Sequence, residues 1–362
     1  MPHGFELGFT SVEDEYADHQ LRVDGEVPGW LDGDLYRNGP GRFEVGSGRV
    51  EHWFDGLAML SRYDFHDGAV SYSNRFLRSR EYRSVVDEGR MDGGQFGTSR
   101  GGFLGKLRRR LLPAPTDNAN VNVHRLGDRL VAITETHVGV AFDPRTLRTL
   151  GQVTFDGLDG QTMTAHPHVD PRTGETVTFA TSFGRHCQYG FYRRLPDALR
   201  FQAIGSVATD RPSYVHSFGM TRDYVVLFEF PLSVHPLGLL VPSSASFIER
   251  FKWRPERGTR IVVLDRERGE RVIEHRVPPT FAFHHVNAFE EEGILRVDIA
   301  TFDGPDIIDA LYLDDLREGG FPELDGALRR YHVPTVPGEV SVESLYPDAI
   351  TLPRIDPRRN TR

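Results

Sequence analysis

The sequence predicts an all-β protein, and three observations carry that reading. Short runs rich in Val, Phe, Tyr, Ile and Thr recur along the chain, among them "RLVAITETHVGVAF", "ETVTFATSF", "DYVVLFEF", "TRIVVLD" and "GILRVDIATF". The 37 glycines and 23 prolines are spread between these runs, where strand-to-strand turns need them. Several runs also end in the same kind of turn. "FDPRTLRTLG" (142–151), "VDPRTGETV" (169–177) and "LDRERGERV" (264–272) each place an Asp after an apolar strand, then a polar turn, then another strand. Repeated short antiparallel strands without long helices suit a propeller or a sandwich.

At 362 residues the chain is long enough for one large domain or two ordinary ones. No linker or shift in composition divides it, so residues 1–362 read as a single domain. Hydrophobic content of 38% and charged content of 26% place it among folded globular proteins. A net charge of −9 argues against a general nucleic-acid binder, which needs a basic face to neutralise phosphates. Cys187 is the single cysteine, which excludes an intrachain disulfide and any multi-cysteine metal site and fits a reducing compartment.

The first residues, "MPHGFELGFTSVEDEY", lack a charged start followed by an apolar core, so no secretory signal is visible. The most apolar region, 224–248, is broken by Glu229, Pro231, Pro236 and Pro242. A spanning helix wants about 20 uninterrupted apolar residues, so this is not one. The segment "GGFLGKLRRRLLPAP" (101–115) sets leucines at roughly helical spacing with Lys106, Arg108, Arg109 and Arg110 between them. Two readings stay open for it: a helix packed on the protein by its leucines, or one lying in a membrane interface. The expected location is cytoplasmic, with peripheral membrane contact at 101–115 and at the apolar loop 232–248.

Among 15 histidines, three share a context. His166 lies in "MTAHPHVDPRTGE", His216 in "PSYVHSFGMTRDYVVLFEF" and His284 in "FAFHHVNAFEEEG", each on or just before a strand-like segment leading into an apolar run. A lone histidine on such a strand is most often a core residue with both nitrogens hydrogen-bonded. Three at intervals of 50 to 70 residues also suit convergence on the axis of a radially repeated sheet. Neutral imidazole there is a good ligand for Fe, Zn, Cu or Ni. In "FHHV" successive strand residues face opposite ways, so at most one of His284 and His285 looks toward any given site.

The wording around these histidines is more specific than their spacing. "LDGDLYRNGPGRFEVG" (31–46), "HWFDGLAML" (52–60), "TDNANVNV" (116–123), "ITETHVGV" (133–140), "AHPHVDPRTGE", "YVHSFGMT", "FHHVNAFEE" and "LPRID" (352–356) follow one another in order. The chain resembles the carotenoid cleavage oxygenases along its whole length, and in wording is most similar to the animal carotene dioxygenases. The resemblance implies a seven-bladed β-propeller with a non-haem Fe(II) on its axis. It implies His166, His216 and His284 as catalytic metal ligands, with His285 turned away. It implies Glu135, in "TET", as an acceptor fixing a ligand ring, and Phe54 and Thr134 as neighbours of the substrate. The implied reaction is oxidative cleavage of a conjugated C=C bond of a carotenoid or apocarotenoid by O2, giving aldehyde or ketone products, retinal among them. A stilbene or phenylpropanoid substrate is the alternative. So is an inactive propeller that only binds carotenoid or membrane.

The chain departs from the pattern in two places. The family's fourth histidine lies beyond the Leu-Pro-Arg-Ile segment, whereas this sequence stops at "PRIDPRRNTR". Thr351 stands where many members carry a glutamate. The expectation is therefore a C-terminally truncated member whose closing blades are missing, with two sheet edges left open.

Overall fold

The short apolar runs become antiparallel strands in both halves of the chain. The computed structural model describes residues 4–99, 115–198, 200–240, 245–319 and 322–362. The chain is mostly β and forms two units, residues 1–154 with 311–321, and residues 155–310 with 322–362. Among the described residues, five antiparallel sheets of four or five strands follow one another along the sequence.

The first unit holds two of them. One runs β1 (His19–Gln20), β6 (Ala69–Phe76), β5 (Leu57–His66), β2 (Gly33–Arg42), with the small hairpin β3 (Glu44–Val45) and β4 (Gly48–Arg49) beside it in sequence. The other is a simple meander of β7 (Asn122–Leu126), β8 (Arg129–Ile133), β9 (Val138–Phe142) and β10 (Thr149–Thr154). Ala58, Leu60, Ala132, Val140 and Phe142 from both sheets share one buried cluster. The motifs "HWFDG" and "TDNAN" interlock here. The Asn118 side chain accepts from Ala58 N–H at 2.9 Å and donates to the Gly56 carbonyl at 2.9 Å, and Asn120 donates to the carbonyls of Phe54 (2.7 Å) and Gly56 (2.8 Å). Asp117 accepts from the N–H groups of Arg80 (2.8 Å) and Glu81 (2.9 Å), satisfying orphan donors at the start of α1 (Arg80–Glu88). These asparagines and aspartate are framework residues.

The second unit holds the other three sheets. The strand order is β11 (Thr162–Met163), β13 (Thr176–Ser182), β14 (Cys187–Arg194), β15 (Gln202–Thr209), with β12 (His168–Val169) also on β13. Next comes β16 (Gly219–Met220), β17 (Tyr224–Glu229), β20 (Thr259–Asp265), β21 (Arg271–Val277), with β18 (Leu232–Ser233) and β19 (Lys252–Trp253) paired separately. The last is β22 (Phe281–Glu291), β23 (Ile294–Phe302), β24 (Gly326–Pro334) and β25 (Ser341–Tyr346). Val177, Phe179, Tyr189, Phe191, Phe218, Leu227 and Val262 form a buried cluster between the first two sheets. Phe218 meets Phe179 edge-on at 5.6 Å and Phe191 at 5.7 Å, and burying each such ring is worth roughly 2–3 kcal/mol.

The three Asp turns fold alike. The N–H groups of Leu147, Gly174 and Gly269 donate to the carbonyls of Asp143, Asp170 and Asp265, each at 2.8 to 2.9 Å. The aspartate side chains accept N–H groups two residues on, from Arg145, Arg172 and Glu267. The fifth position is left-handed in all three, with φ of 55° at Leu147 and 71° at Gly174 and Gly269. Glycine suits that position, and Leu147 occupies it with its side chain fully buried.

Two expectations fall on residues that are only partly described. The basic stretch 101–115 lies outside the described residues except for Pro115. Of the apolar loop 232–248, Leu232, Val234 and Ile248 are buried. Among the described residues, no helix is long and apolar enough to cross a membrane.

Candidate metal centre

Residues 164–168, 213–220 and 281–287 of the second unit build the site. Only His284 stands on a strand, β22; His166 and His216 lie on connecting segments just before β12 and β16. All three therefore stand on or just before a strand, as the sequence reads, and Pro167 directly follows His166. Thr164 is the tie. Its buried hydroxyl donates to the His216 carbonyl at 2.6 Å and accepts the His166 N–H at 3.0 Å, locking two segments 50 residues apart.

The three rings converge. His166 Nε2 and His216 Nε2 are 2.8 Å apart, and one ligand atom from each of His166, His216 and His284 lies within 4.8 Å of the others. The His284 ring stands nearly perpendicular to both neighbours, with centroids 5.0 Å from each. A divalent metal about 2.1 Å from each nitrogen sets neighbouring donors about 3.0–3.4 Å apart. One pair already lies close to that spacing, so the set can close on an ion by small ring movements. The donor chemistry fits too. Burial, reinforced by the neighbouring histidines and the Arg354 guanidinium, holds His166 and His284 well below the ordinary imidazole pKa. They stay neutral, as ligation requires.

A second layer orients the rings. Tyr214 Oη lies 3.2 Å from His216 Nδ1, so a proton on Nδ1 leaves Nε2 bare and aimed at the other two rings. Phe283 packs edge-on against His216 at 5.4 Å, and Tyr214 packs on Phe283 and Phe251 at 6.3 and 6.1 Å. One side of the triad is thus an aromatic wall. Thr164→Val keeps the shape of this layer and removes its bridging hydroxyl. It is expected to weaken divalent-metal affinity by roughly tenfold while leaving the fold intact. Titration of Co(II) into both proteins, followed by absorbance, checks this; equal affinities would reduce Thr164 to a packing residue.

His285 faces away from the triad. The Ser217 hydroxyl donates to the Phe283 carbonyl at 2.7 Å and accepts the His285 backbone N–H at 2.8 Å. It also lies 2.8 Å from His285 Nδ1, which must therefore donate. Burial, aided by nearby His168, pushes the His285 pKa down to about 3, and its ring packs on Phe228. It is a core residue. Phe54, Thr134 and Glu135 all lie in the first unit. Phe54 packs between His52 and Phe96, at 5.0 and 5.3 Å. Thr134 is buried and Glu135 half-buried on the turn between β8 and β9.

Residues 9–362 match the family model described as retinal pigment epithelial membrane protein. A mitochondrial carotenoid-cleaving dioxygenase from Macaca fascicularis is 34% identical over 343 residues, covering 87% of this chain and 61% of the relative. The chain belongs to the carotenoid cleavage oxygenase family. Another member, a carotenoid isomerooxygenase from Galleria mellonella, is 35% identical over 325 residues, covering 82% of this chain and 61% of its own length. The chain thus spans 61% of the length of these relatives. Among solved structures of the family, a mutant of the Synechocystis apocarotenoid oxygenase superposes with a TM-score of 0.85 at 27% identity, over 99% of this chain and 76% of that one. The cobalt-substituted Synechocystis enzyme gives 0.84 at 27% identity with the same coverage.

Sequence reasoning reached the triad through its family wording and missed the groups that hold it. Tyr214 stands two residues before His216 and is readable in retrospect from "SYVHSF". Thr164, Ser217 and Phe283 carry no such signal, because their roles come from contacts across segments far apart in sequence.

Proposed function

We propose that the chain is a non-haem Fe(II)-dependent dioxygenase that cleaves a conjugated C=C bond of a carotenoid or apocarotenoid into two carbonyl products. The observation that carries this is the convergence of His166, His216 and His284, within 4.8 Å, in a member of a family whose relatives are named for carotenoid cleavage. Divalent iron bound there would supply the redox chemistry and open coordination positions that reaction with O2 needs. The protein's own part is orientation. Thr164 ties the backbones of His166 and His216 together and Tyr214 sets the His216 ring, while Phe283, Tyr214 and Phe251 make the surroundings on that side apolar, as a polyene substrate requires.

The same reading takes the chain as one β-propeller domain of the family's seven-bladed kind, supported by five sequential antiparallel sheets. It includes the roles that the resemblance gives Glu135, Phe54 and Thr134, and a cytoplasmic location with peripheral membrane contact for collecting lipid-soluble substrate. The test is incubation of the purified chain with Fe(II), O2 and β-carotene in detergent, with chromatography of the products. Aldehyde formation that depends on iron supports the proposal. No aldehyde from β-carotene or from an apocarotenal, with iron demonstrably bound, contradicts it.

A further inference from the structure

Away from the histidine centre, the first unit carries an open pocket of about 490 Å³ lined by Glu15, Arg75, Arg78, Arg83, Arg148, Thr149, Leu150 and Gly151. Four guanidiniums face one carboxylate in a protein whose net charge is −9. Glu15 is largely committed. Its carboxylate accepts from Arg78 at 2.9 Å through both oxygens and from the Phe76 N–H at 2.8 Å, and Arg75 approaches no nearer than 3.9 Å. The Arg78 backbone is also fixed, its main-chain N–H donating to Thr149 Oγ1 at 2.8 Å. Arg83 and Arg148 form no ion pair among the described residues.

Backbone geometry shapes the rim. The pairing of β9 with β10 slips between Thr149 and Gly151, leaving Leu150 as a bulge, and Gly151 takes φ of 148° with open space around a Cβ position. Bulges recur where a sheet re-aims side chains toward a site. Here the bulge lies two residues beyond Arg148. Concentrating like charges in a concave surface costs free energy unless an anion shares it, and planar guanidinium forks match the oxygens of phosphate.

We propose that this pocket binds a phosphate-bearing anion, with Arg83 and Arg148 as its principal ligands, Arg75 in support and Arg78 fixed as the floor. The phosphate can be that of a soluble phosphate compound or of an anionic lipid headgroup. Neither source bears on the chemistry at the histidine centre, so the site stands or falls independently of the proposed oxygenase reaction.

The experiment uses the full chain in two arms. Calorimetric titration with pyrophosphate reads the soluble form. Co-sedimentation with phosphatidylcholine vesicles, with and without phosphatidylglycerol, reads the headgroup. Each is repeated on Arg83→Glu/Arg148→Glu and on Arg83→Lys/Arg148→Lys, with thermal melting to confirm that both variants fold. The expected result is binding in one arm by the unaltered chain, at least tenfold weaker in the Glu variant, intermediate in the Lys variant and weakened by salt. Pyrophosphate binding assigns a soluble ligand, and binding only to phosphatidylglycerol vesicles assigns a headgroup. Absence of binding in both arms overturns the proposal. So does binding that survives charge reversal.

Discussion

His216→Ala is expected to abolish stoichiometric metal binding, lowering affinity by roughly a hundredfold or more, since even groups behind a ligand are worth 10–100-fold. His216 is the most buried of the three rings, at 5% exposure, and its Nε2 sits 2.8 Å from that of His166. Removing it leaves two half-buried imidazoles, too few to compete with water for a divalent ion. The fold should survive, because Thr164 bonds the backbone carbonyl at position 216, not the ring. Metal content after reconstitution with Fe(II), measured by plasma mass spectrometry beside a circular dichroism spectrum, checks both halves. His285→Ala is the matched control. It removes a buried histidine next to His284 on β22 and should retain metal, because that ring is occupied with Ser217 and Phe228.

Arg266→Met is expected to cost about 3–5 kcal/mol of stability, the usual result of stripping one partner from a buried ionic cluster. The Arg266 guanidinium bonds Asp170 at 3.2 Å, Glu175 at 2.8 Å and the carbonyls of Thr221 and Arg222 at 2.8 and 2.9 Å. Without it, Glu175 loses its nearest charge partner, Asp170 keeps only the half-exposed Arg172, and two carbonyls lose donors. Denaturant unfolding at neutral pH measures the loss, and a change below 1 kcal/mol would contradict the assigned role.

The pH dependence of this cluster follows with a definite sign. Burial alone would raise the Asp170 pKa, but hydrogen bonds from Arg172 and the charges of Arg266 and Arg172 outweigh it, so the folded value lies below the ordinary one. A depressed carboxylate contributes stability above its unfolded pKa, about 3.9, and loses it as pH falls through the folded value. The unaltered chain should therefore lose Asp170's contribution only below about pH 4. Arg266→Met should show a weaker acid dependence there.

How far the sequence could be read depended on the range of each interaction. The turns at Asp143, Asp170 and Asp265 were legible because all their hydrogen bonds close within six residues. The opposite facings of His284 and His285 followed from strand alternation, although the pairing of β22 slips on both sides of the pair. α1 was overlooked, yet its signals are local. Ser79 caps the N–H of Tyr82 at 3.1 Å, and Gly89 ends the helix at φ 65°. The strand-like run that precedes it, β6, masked that pattern. The inner supports of the metal centre were beyond reach for a different reason. Thr164 joins two segments 50 residues apart and Ser217 binds a histidine 68 residues away, and no local pattern encodes such pairs. Arg354, whose charge helps keep His166 and His284 neutral, belongs to "LPRID", which was legible as a family segment but not as part of the centre.

X-ray absorption at the iron edge, on the chain reconstituted with one equivalent of Fe(II), reads the coordination of the metal itself. The expected result is a single bound ion with three imidazole nitrogens near 2.1 Å, their ring scattering lost stepwise in His166→Ala, His216→Ala and His284→Ala. An oxygen-only shell, or a spectrum unchanged by those substitutions, would show that the metal binds elsewhere and that the three histidines are merely neighbours.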